Sequence, residues 1–341
     1  MRPGPSGIKD VKYIPTSTDP KHTLDLYLPS SDPNEPLPPL VIFIHGGWWR
    51  ANDKSKYAAL GLGLSQLSDN QQNRKCAVAI TNYRLTVKGS DKIKHPDHYL
   101  DSVQAIQFLY QSGSKYGYDS SKISIIGTSC GGHIAGLIAL DPPASWWSPI
   151  ENLTRENYKH VTDTSQNKNT ESRLDRDILN ITGYPVESSP IPPLGTSRCL
   201  AESIKNVVYI AGAFDLNWLA EKYPSYEEFF IMPFGLDKSF WSSTSPQNAP
   251  FNTKDQEKTK HIFPPGFEAH GKPLIHTDQL VLLSTGDELF TSETCDSFAA
   301  HLKSLGINTS VCTNIDFGSH SSQLENPKLY EYIHNFIFSH T

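Results

Sequence analysis

Apolar segments of strand length alternate with longer segments of helical periodicity along this chain, and this alternation limits its possible folds more than any other feature. The strand-like segments span residues 13–14, 24–28, 40–44, 76–81, 123–127, 207–211, 280–284 and 310–315. The helical segments span residues 56–67, 97–110, 131–140, 292–305 and 327–338. Because the later strand segments are continuously apolar, we expect them to be buried on both faces. The pattern predicts an α/β fold in which helices cover both faces of a mostly parallel central sheet.

Two long segments interrupt this alternation. Residues 141–200 are rich in Pro, Ser, Asn and Thr, and residues 217–275 carry several aromatic residues and prolines. Each segment follows one core strand and precedes the next, where loops leave one end of a sheet. We therefore predict one domain, residues 8–341, with a cap built from insertions at about 141–200 and 217–275.

Composition and motif content exclude several classes of protein. Thirty Lys and Arg against 36 Asp and Glu give a net charge of −6, which argues against a general nucleic-acid binder. The longest apolar runs are of strand length, so no membrane span is expected. The chain has no phosphate-loop, dinucleotide or H-E-x-x-H motif and no Cys/His cluster, so we expect no cofactor and no metal. Five widely spaced cysteines, with no apolar stretch behind the amino end, predict reduced thiols and a cytoplasmic location.

The strongest local motif is Gly127-Thr128-Ser129-Cys130-Gly131, which follows one strand-like segment and precedes a helical one. A sharp turn from strand to helix holds a serine oxygen exposed above the sheet, with the amino terminus of the helix behind it. The flanking glycines fit such a turn because the backbone segments come close together there. We predict that Ser129 is a nucleophile; the alternative is an ordinary glycine-rich turn.

A second motif, His45-Gly46-Gly47-Trp48-Trp49, directly follows the strand at 40–44. Acyl transfer places negative charge on a carbonyl oxygen, and backbone N–H groups aimed at that oxygen stabilise it. The two glycines would let the backbone approach a substrate, and the N–H of Cys130 would be a second donor. The alternative is a turn that carries two core tryptophans. We expect His45 itself to bond within the loop as readily as to touch substrate.

A nucleophilic serine needs a base, and the base needs a carboxylate that orients it. Of the 13 histidines, His320 follows the last predicted strand and precedes the final helix, which places it at the carboxyl edge of the sheet. Asp287 follows the buried strand at 280–284 and is our predicted acid. Glu288 and Asp215 are alternatives, whereas Asp316 is too close in sequence to the histidine to be favoured.

The order serine, aspartate, histidine is the one expected of α/β-hydrolases. The chain resembles an α/β-hydrolase of the esterase branch that carries an H-G-G-x-W loop, a branch that includes kynurenine formamidases and small acyl esterases. The matching loop residues are His45, Gly46, Gly47 and Trp49. Further similarities lie at residues 24–29, 83–85 and 97–101, and the resemblance runs from about residue 8 to the carboxyl terminus, interrupted by the two insertions.

The resemblance implies a set of site residues. It implies nucleophile, acid and base roles for Ser129, Asp287 and His320. It also implies an oxyanion hole shaped by Gly46, Gly47, Trp48 and Cys130.

Aromatic residues are frequent near the proposed site and in the cap segments, which suggests an acyl or aryl pocket. The pocket candidates are Trp49, Trp146 and Trp218. The alternative for each is a place in the cap core, out of reach of any ligand.

These features predict a serine hydrolase that cleaves a small ester or an N-formyl or acyl amide through an acyl-enzyme. The resemblance points to a kynurenine formamidase or a carboxylesterase, with a small-molecule ester or amide as substrate and no nucleic-acid partner. One alternative is a hydrolase-fold receptor that binds a ligand without turnover, although such proteins usually lose a member of the catalytic set. Another is an interfacial lipase, which no basic amphipathic helix supports.

Overall fold

A single eight-stranded sheet forms the centre of the computed structural model, which describes residues 6–30, 34–68, 74–147, 199–249 and 272–339. Its strands are β1 (Ser6–Lys12), β2 (Thr23–Leu28), β3 (Pro39–Ile44), β4 (Ala77–Thr81), β5 (Asp119–Thr128), β6 (Ile204–Ile210), β7 (Asp278–Ser284) and β8 (Asn308–Ile315). They lie in the order β1-β2-β4-β3-β5-β6-β7-β8. The pairs β1–β2 and β2–β4 are antiparallel, and all pairs from β4 to β8 are parallel. The predicted mostly parallel sheet is confirmed.

Helices cover both faces of this sheet. They are α1 (Ala58–Gln66), α2 (Asp97–Gln111), α3 (Gly113–Tyr116), α4 (Cys130–Leu140), α5 (Leu200–Ser203), α6 (Leu216–Lys222), α7 (Glu227–Phe234), α8 (Lys238–Ser243), α9 (Ser292–Ser304) and α10 (Pro327–Ser339). Buried side chains of α1 and α10 pack on one face, and those of α2, α4 and α9 pack on the other. The five helices predicted from periodicity are therefore confirmed to within about two residues at each end.

Strand β3 shows why the central strands are apolar throughout. Its residues Leu40, Ile42 and Ile44 belong to the core with α2, α4 and α9, while Val41 and Phe43 belong to the core with α1 and α10. Successive side chains of a strand point to opposite faces, so a strand covered on both faces has no solvated position.

The predicted strand at 13–14 is wrong, because the first strand lies earlier, at Ser6–Lys12. Tyr13 instead lies in the bend after β1, where its hydroxyl donates to the carbonyl oxygen of Asn82 at 3.1 Å. The pairing of β1 with β2 is irregular between Ile8 and Val11, and Asp10 has a positive φ of 55°. This irregularity breaks the alternation that marks a half-buried strand, so the sequence of β1 does not look like one.

The carboxyl ends of the parallel strands share one edge of the sheet, which we call the carboxyl edge. The second insertion leaves β6 at this edge and contributes α6, α7 and α8 there. The first insertion behaves differently, because α4 runs back across the sheet before it begins. Its described ends, residues 141–147 and 199–203, therefore lie at the opposite edge, and the cap itself stays a prediction. Residues 148–198 and 250–271, which hold the middles of the two insertions, lie outside the described residues.

Two smaller expectations concern cysteines and membranes. All five cysteines are buried and have free thiols. Among the helices in the described ranges, none combines the length and the apolar character needed to cross a bilayer.

Candidate active site

Ser129 occupies the turn between β5 and α4. Its backbone has φ 54° and ψ −122°, a strained conformation for a residue with a side chain. Four main-chain hydrogen bonds hold it. Ser129 N–H donates to Ile210 O at 2.9 Å, and Ser129 O accepts from the N–H groups of Gly132 at 2.9 Å, His133 at 3.3 Å and Ala213 at 3.2 Å. The turn is therefore fixed from both β6 and α4, and it holds the serine at the carboxyl edge.

Two glycines show how closely the two sequence motifs approach each other. A Cβ atom on Gly131 would lie 2.2 Å from Ile44 O, at the end of β3. A Cβ atom on Gly46 would lie 2.8 Å from the Cβ of Ser129. Both distances are too short for any side chain, so the glycine-rich loop after β3 lies directly against the serine turn.

The main chain of that loop has an unusual conformation, and side chains donate hydrogen bonds to its Gly46 carbonyl oxygen. Gly47, Trp48 and Trp49 have consecutive positive φ angles of 119°, 55° and 57°. The Gly46 carbonyl oxygen accepts from His45 Nδ1–H at 2.8 Å and from Asn52 Nδ2 at 3.1 Å. Within the described part of the chain, the N–H of Gly47 donates to no protein acceptor.

The two tryptophans of the loop have different surroundings. Trp48 packs its ring against Tyr226 and Phe229 of the second insertion, with ring centroids 5.1 and 5.2 Å away. Trp49 is fully buried and meets Phe234 edge to face at 4.9 Å. The pocket role predicted for Trp49 is therefore replaced by the alternative, a place in the core beneath the second insertion.

The other two pocket candidates lie far apart. Trp146 is buried in the short 3₁₀ helix Ala144–Trp147, which packs against α5 at the opposite edge of the sheet. Trp146 therefore lies away from Ser129, because its chain segment follows the far end of α4. Trp218 is half-buried on α6 at the carboxyl edge, with the Lys222 ammonium 4.4 Å from its ring centroid. Trp218 remains a candidate.

Asp287 and His320, the predicted acid and base, contact each other. The Nδ1–H of His320 donates to Asp287 Oδ2 at 2.8 Å, and Asp287 Oδ1 accepts the N–H groups of Leu289 and Phe290 at 2.9 Å each. The alternative acids have other tasks. Glu288 accepts the backbone N–H of His320 at 2.8 Å.

The other two alternative acids, Asp215 and Asp316, bond to backbone groups. Asp215 caps α6 by accepting the N–H of Trp218 at 3.0 Å. Asp316 accepts the N–H of Gly318 at 2.8 Å. Both are therefore local loop and cap residues.

Gln323 contacts both Asp287 and His320, and it was not among the residues predicted from the sequence. Its Nε2 donates to Asp287 Oδ2 at 3.0 Å and to the His320 carbonyl oxygen at 3.1 Å. The only sequence signal for Gln323 was its position three residues after His320, at the start of a 3₁₀ helix.

Burial alone would raise the pKa of Asp287. The hydrogen bond and the electrostatic interaction with His320, together with the backbone donors, outweigh this effect and lower the pKa overall. The buried carboxylate is therefore ionised at neutral pH.

The three predicted catalytic side chains are only partly assembled. Asp287 and His320 are hydrogen bonded, whereas among the described residues Ser129 Oγ and His320 Nε2 make no hydrogen bond with each other. Hydrogen bonds between catalytic groups are often long without substrate and tighten when it binds. Over the same described ranges, no three His, Cys, Asp or Glu side chains are grouped to hold a metal ion.

Three histidines near the site are buried and neutral. Burial lowers the pKa of His45 and of His98 to about 4, and that of His133 to about 3. His133 lies on α4 and contacts the carbonyl oxygen of Thr244, just after α8, through Nε2 at 2.8 Å. It therefore links the helix behind Ser129 to the second insertion.

We expect acid to destabilise this region strongly. Between pH 6.5 and about 4 the unfolded chain binds protons at these imidazoles and the native chain does not, so the free energy of unfolding falls as pH falls. The slope is about 1 kcal/mol per pH unit for each histidine. Urea unfolding at pH 7, 6 and 5 measures it. His133→Gln keeps a donor toward Thr244 but does not titrate, so it should flatten the dependence; an unchanged slope would contradict this explanation.

Comparisons with known proteins find similar sequences and a similar fold. The BD-FAE family model matches residues 24–173. Isoprenylcysteine α-carbonyl methylesterase ICME of Arabidopsis thaliana is 34% identical over 122 residues, 36% of this chain and 26% of that protein. Kynurenine formamidase of Debaryomyces hansenii is 24% identical over 270 residues, 79% of this chain and 81% of that protein. The structure of esterase B from Lactobacillus rhamnosis matches with a TM-score of 0.59 and 15% identity, over 98% of this chain and 87% of that one.

These matches differ in what they cover. The chain spans about a quarter of the length of the methylesterase but most of the length of the formamidase. The esterase structure shares the fold across nearly the whole chain. Together they show that the chain has the fold of α/β-hydrolase esterases, with its H-G-G-x-W loop pressed against the serine turn.

Proposed function

We propose that this protein is a serine hydrolase that cleaves a small ester or an N-formyl or acyl amide through an acyl-enzyme. Ser129 is the proposed nucleophile, His320 the base and Asp287 the acid. The observation that carries the proposal is the 2.8 Å hydrogen bond between His320 and Asp287 at the same edge of the sheet as the strained serine turn. A base oriented by a buried carboxylate is what a weakly acidic hydroxyl needs in order to attack.

In the first half of the reaction, Ser129 Oγ attacks the carbonyl carbon and passes its proton to Nε2 of His320. The ionised Asp287 holds the Nδ1–H tautomer and stabilises the imidazolium that forms. The N–H groups of Gly47 and Cys130 are the proposed donors to the oxyanion, since the first N–H groups of a helix have no acceptor within it. The carbon–leaving group bond then breaks, and the leaving group takes the proton from Nε2.

In the second half, water enters and attacks the carbonyl carbon of the acyl-enzyme. His320 takes a proton from this water and returns one to Ser129 Oγ as the acyl bond breaks. The acid product leaves, and the free enzyme is restored. No cofactor is needed in any step of this scheme.

A small acyl group fits the limited exposure of the site. Ser129 is 6% exposed, and the His320 side chain is 15% exposed with the Phe290 ring centroid 5.3 Å from its own. The likeness to a kynurenine formamidase over most of the chain favours an N-formyl arylamine. The likeness to a methylesterase over a shorter segment favours a small ester.

Two measurements test this proposal together. The first is intact mass after treatment with a fluorophosphonate, which should add one adduct to the wild type and none to Ser129→Ala. Ser65→Ala is the matched control, because Ser65 is buried in α1 and donates only to the Leu62 carbonyl oxygen. The second compares kcat/KM for N-formylkynurenine with that for p-nitrophenyl esters from acetate to octanoate.

The outcomes separate the candidate functions. Faster turnover of the formamide than of any ester would identify an arylformamidase, and fast short esters with an inert formamide would identify a carboxylesterase. A preference for octanoate that rises above its solubility limit would favour an interfacial lipase. The absence of both adduct and turnover would overturn the proposal in favour of a ligand receptor.

A further inference from the structure

The side chain of Cys130 lies between the two ends of the glycine-rich loop. Its Sγ accepts the N–H of Trp49 at 3.2 Å. It also lies 3.6 Å from the hydroxyl oxygen of Tyr83, and that hydroxyl donates to the His45 carbonyl oxygen at 2.8 Å. The Tyr83 hydroxyl thus binds His45, the first residue of the motif, and the Cys130 thiol binds Trp49, the last.

The hydrogen atoms of this group can be assigned. Tyr83 has a single hydroxyl hydrogen, and the His45 carbonyl can only accept, so that hydrogen lies between them. The contact between Tyr83 and Cys130 must then use the thiol hydrogen, with the phenol oxygen as acceptor. Burial raises the pKa of Cys130 to about 11, so the thiol keeps this hydrogen at neutral pH. The sulfur acts as donor to Tyr83 and as acceptor from Trp49.

The loop needs such support because its backbone is strained. Trp48 and Trp49 both hold positive φ angles, which cost residues with large side chains of the order of 1 kcal/mol or more each. Such a conformation persists only where its surroundings hold it. Cys130 and Tyr83 supply that hold from beneath the loop, and both are nearly or fully buried.

We propose that the Cys130 thiol and the Tyr83 hydroxyl position the oxyanion donors by tying both ends of the 45–49 loop to the start of α4. The inference rests on the proposed hydrolase function, since it concerns the same reaction. Cys130 thereby has two separate tasks. Its N–H faces the developing oxyanion, while its side chain fixes the distance between that N–H and the N–H of Gly47.

The test compares variants that differ in hydrogen bonding and in volume. Cys130→Ala removes both bonds, Cys130→Ser keeps a donor and an acceptor, and Tyr83→Phe removes the link to His45. Cys76→Ala and Cys76→Ser are matched controls, because Cys76 is equally buried, lies before β4 and donates to the Leu64 carbonyl oxygen at 3.6 Å. For each variant we would measure kcat and KM for p-nitrophenyl acetate and the inhibition constant of phenyl trifluoromethyl ketone, whose adduct carries an oxyanion.

We expect Cys130→Ala to lower kcat about 10- to 100-fold, somewhat less than deletion of an oxyanion donor, with KM little changed. The inhibition constant of the ketone should rise by a similar factor. Cys130→Ser should recover most of the loss, and Tyr83→Phe should reduce kcat in the same direction. The Cys76 variants should keep the wild-type kcat.

Contrary results have distinct meanings. If alanine and serine at position 130 lower stability equally and leave kcat unchanged, the thiol only fills space and the inference is overturned while the hydrolase proposal stands. If Cys130→Ala does not fold, Cys130→Ser and Tyr83→Phe decide the question, and a wild-type kcat in both overturns the inference. If the wild type neither reacts with a fluorophosphonate nor hydrolyses any ester or formamide, the proposed function fails and the inference fails with it.

Discussion

Replacement of Ser129 by alanine is expected to lower kcat/KM for p-nitrophenyl acetate by about 10⁴-fold or more, because covalent catalysis is lost entirely. A small residual rate should remain, since the oxyanion donors and the binding surface are still present. The measurement is initial rate against substrate concentration with the purified variant, after a circular-dichroism melt shows that it is folded.

The buried Ser65→Ala variant supplies the comparison for this experiment. It also removes one serine hydroxyl, but from α1, where that hydroxyl donates to the Leu62 carbonyl oxygen. The variant should therefore leave kcat/KM unchanged. A Ser129→Ala protein that keeps more than a tenth of wild-type activity would mean that another group is the nucleophile.

Asp287→Asn is expected to lower kcat by about 10³- to 10⁴-fold while leaving the fold intact. The reason lies in the backbone donors around this side chain. The N–H groups of Leu289 and Phe290 both point at Oδ1, so the amide oxygen of asparagine will take that place. Its NH₂ group then faces Nδ1 of His320 and forces the imidazole to carry its hydrogen on Nε2. In that tautomer the histidine cannot accept the serine proton.

Glu288→Gln is the matched control for this prediction. Glu288 accepts only the backbone N–H of His320 and never contacts the imidazole in the described structure, and a glutamine oxygen can still accept that N–H. We therefore expect a less than about tenfold effect on kcat, since the geometry of the base is kept. A loss from Glu288→Gln as large as that from Asp287→Asn would indicate that the two carboxylates exchange roles. Stopped-assay rates between pH 6 and 9 for both variants distinguish these cases.

Much of the fold could be predicted because it depends on local patterns. Strands covered on both faces are continuously apolar, as in β3 and β7, and amphipathic helices such as α2 repeat every three or four residues. Given a parallel sheet, the ends of β5, β7 and β8 had to meet at one edge, so the positions of Ser129, Asp287 and His320 in the chain implied that they share that edge. The pairing of His320 with Asp287 rather than with Glu288 or Asp215 agrees with that prediction.

The features that were missed depend on contacts between distant segments. Strand β1 is polar and irregular, and it is recognisable only by its pairing with β2. Gln323 becomes a site residue only because its loop folds back over Asp287. Trp146 looked like a pocket residue by composition, but the length of α4 carries it to the far edge of the sheet. Residue type and spacing alone cannot show which way such a segment travels.

The packing of Trp48 on Tyr226 and Phe229 affects how this site could change its substrate range. One residue belongs both to the loop that would stabilise charge and to the surface under the second insertion. In the proposed mechanism, acceptance of a bulkier acyl group and the speed of the chemical step are therefore coupled. Substitutions that open the second insertion for larger substrates would also loosen an oxyanion donor, so a broader substrate range would come with slower turnover of every substrate, including the smallest.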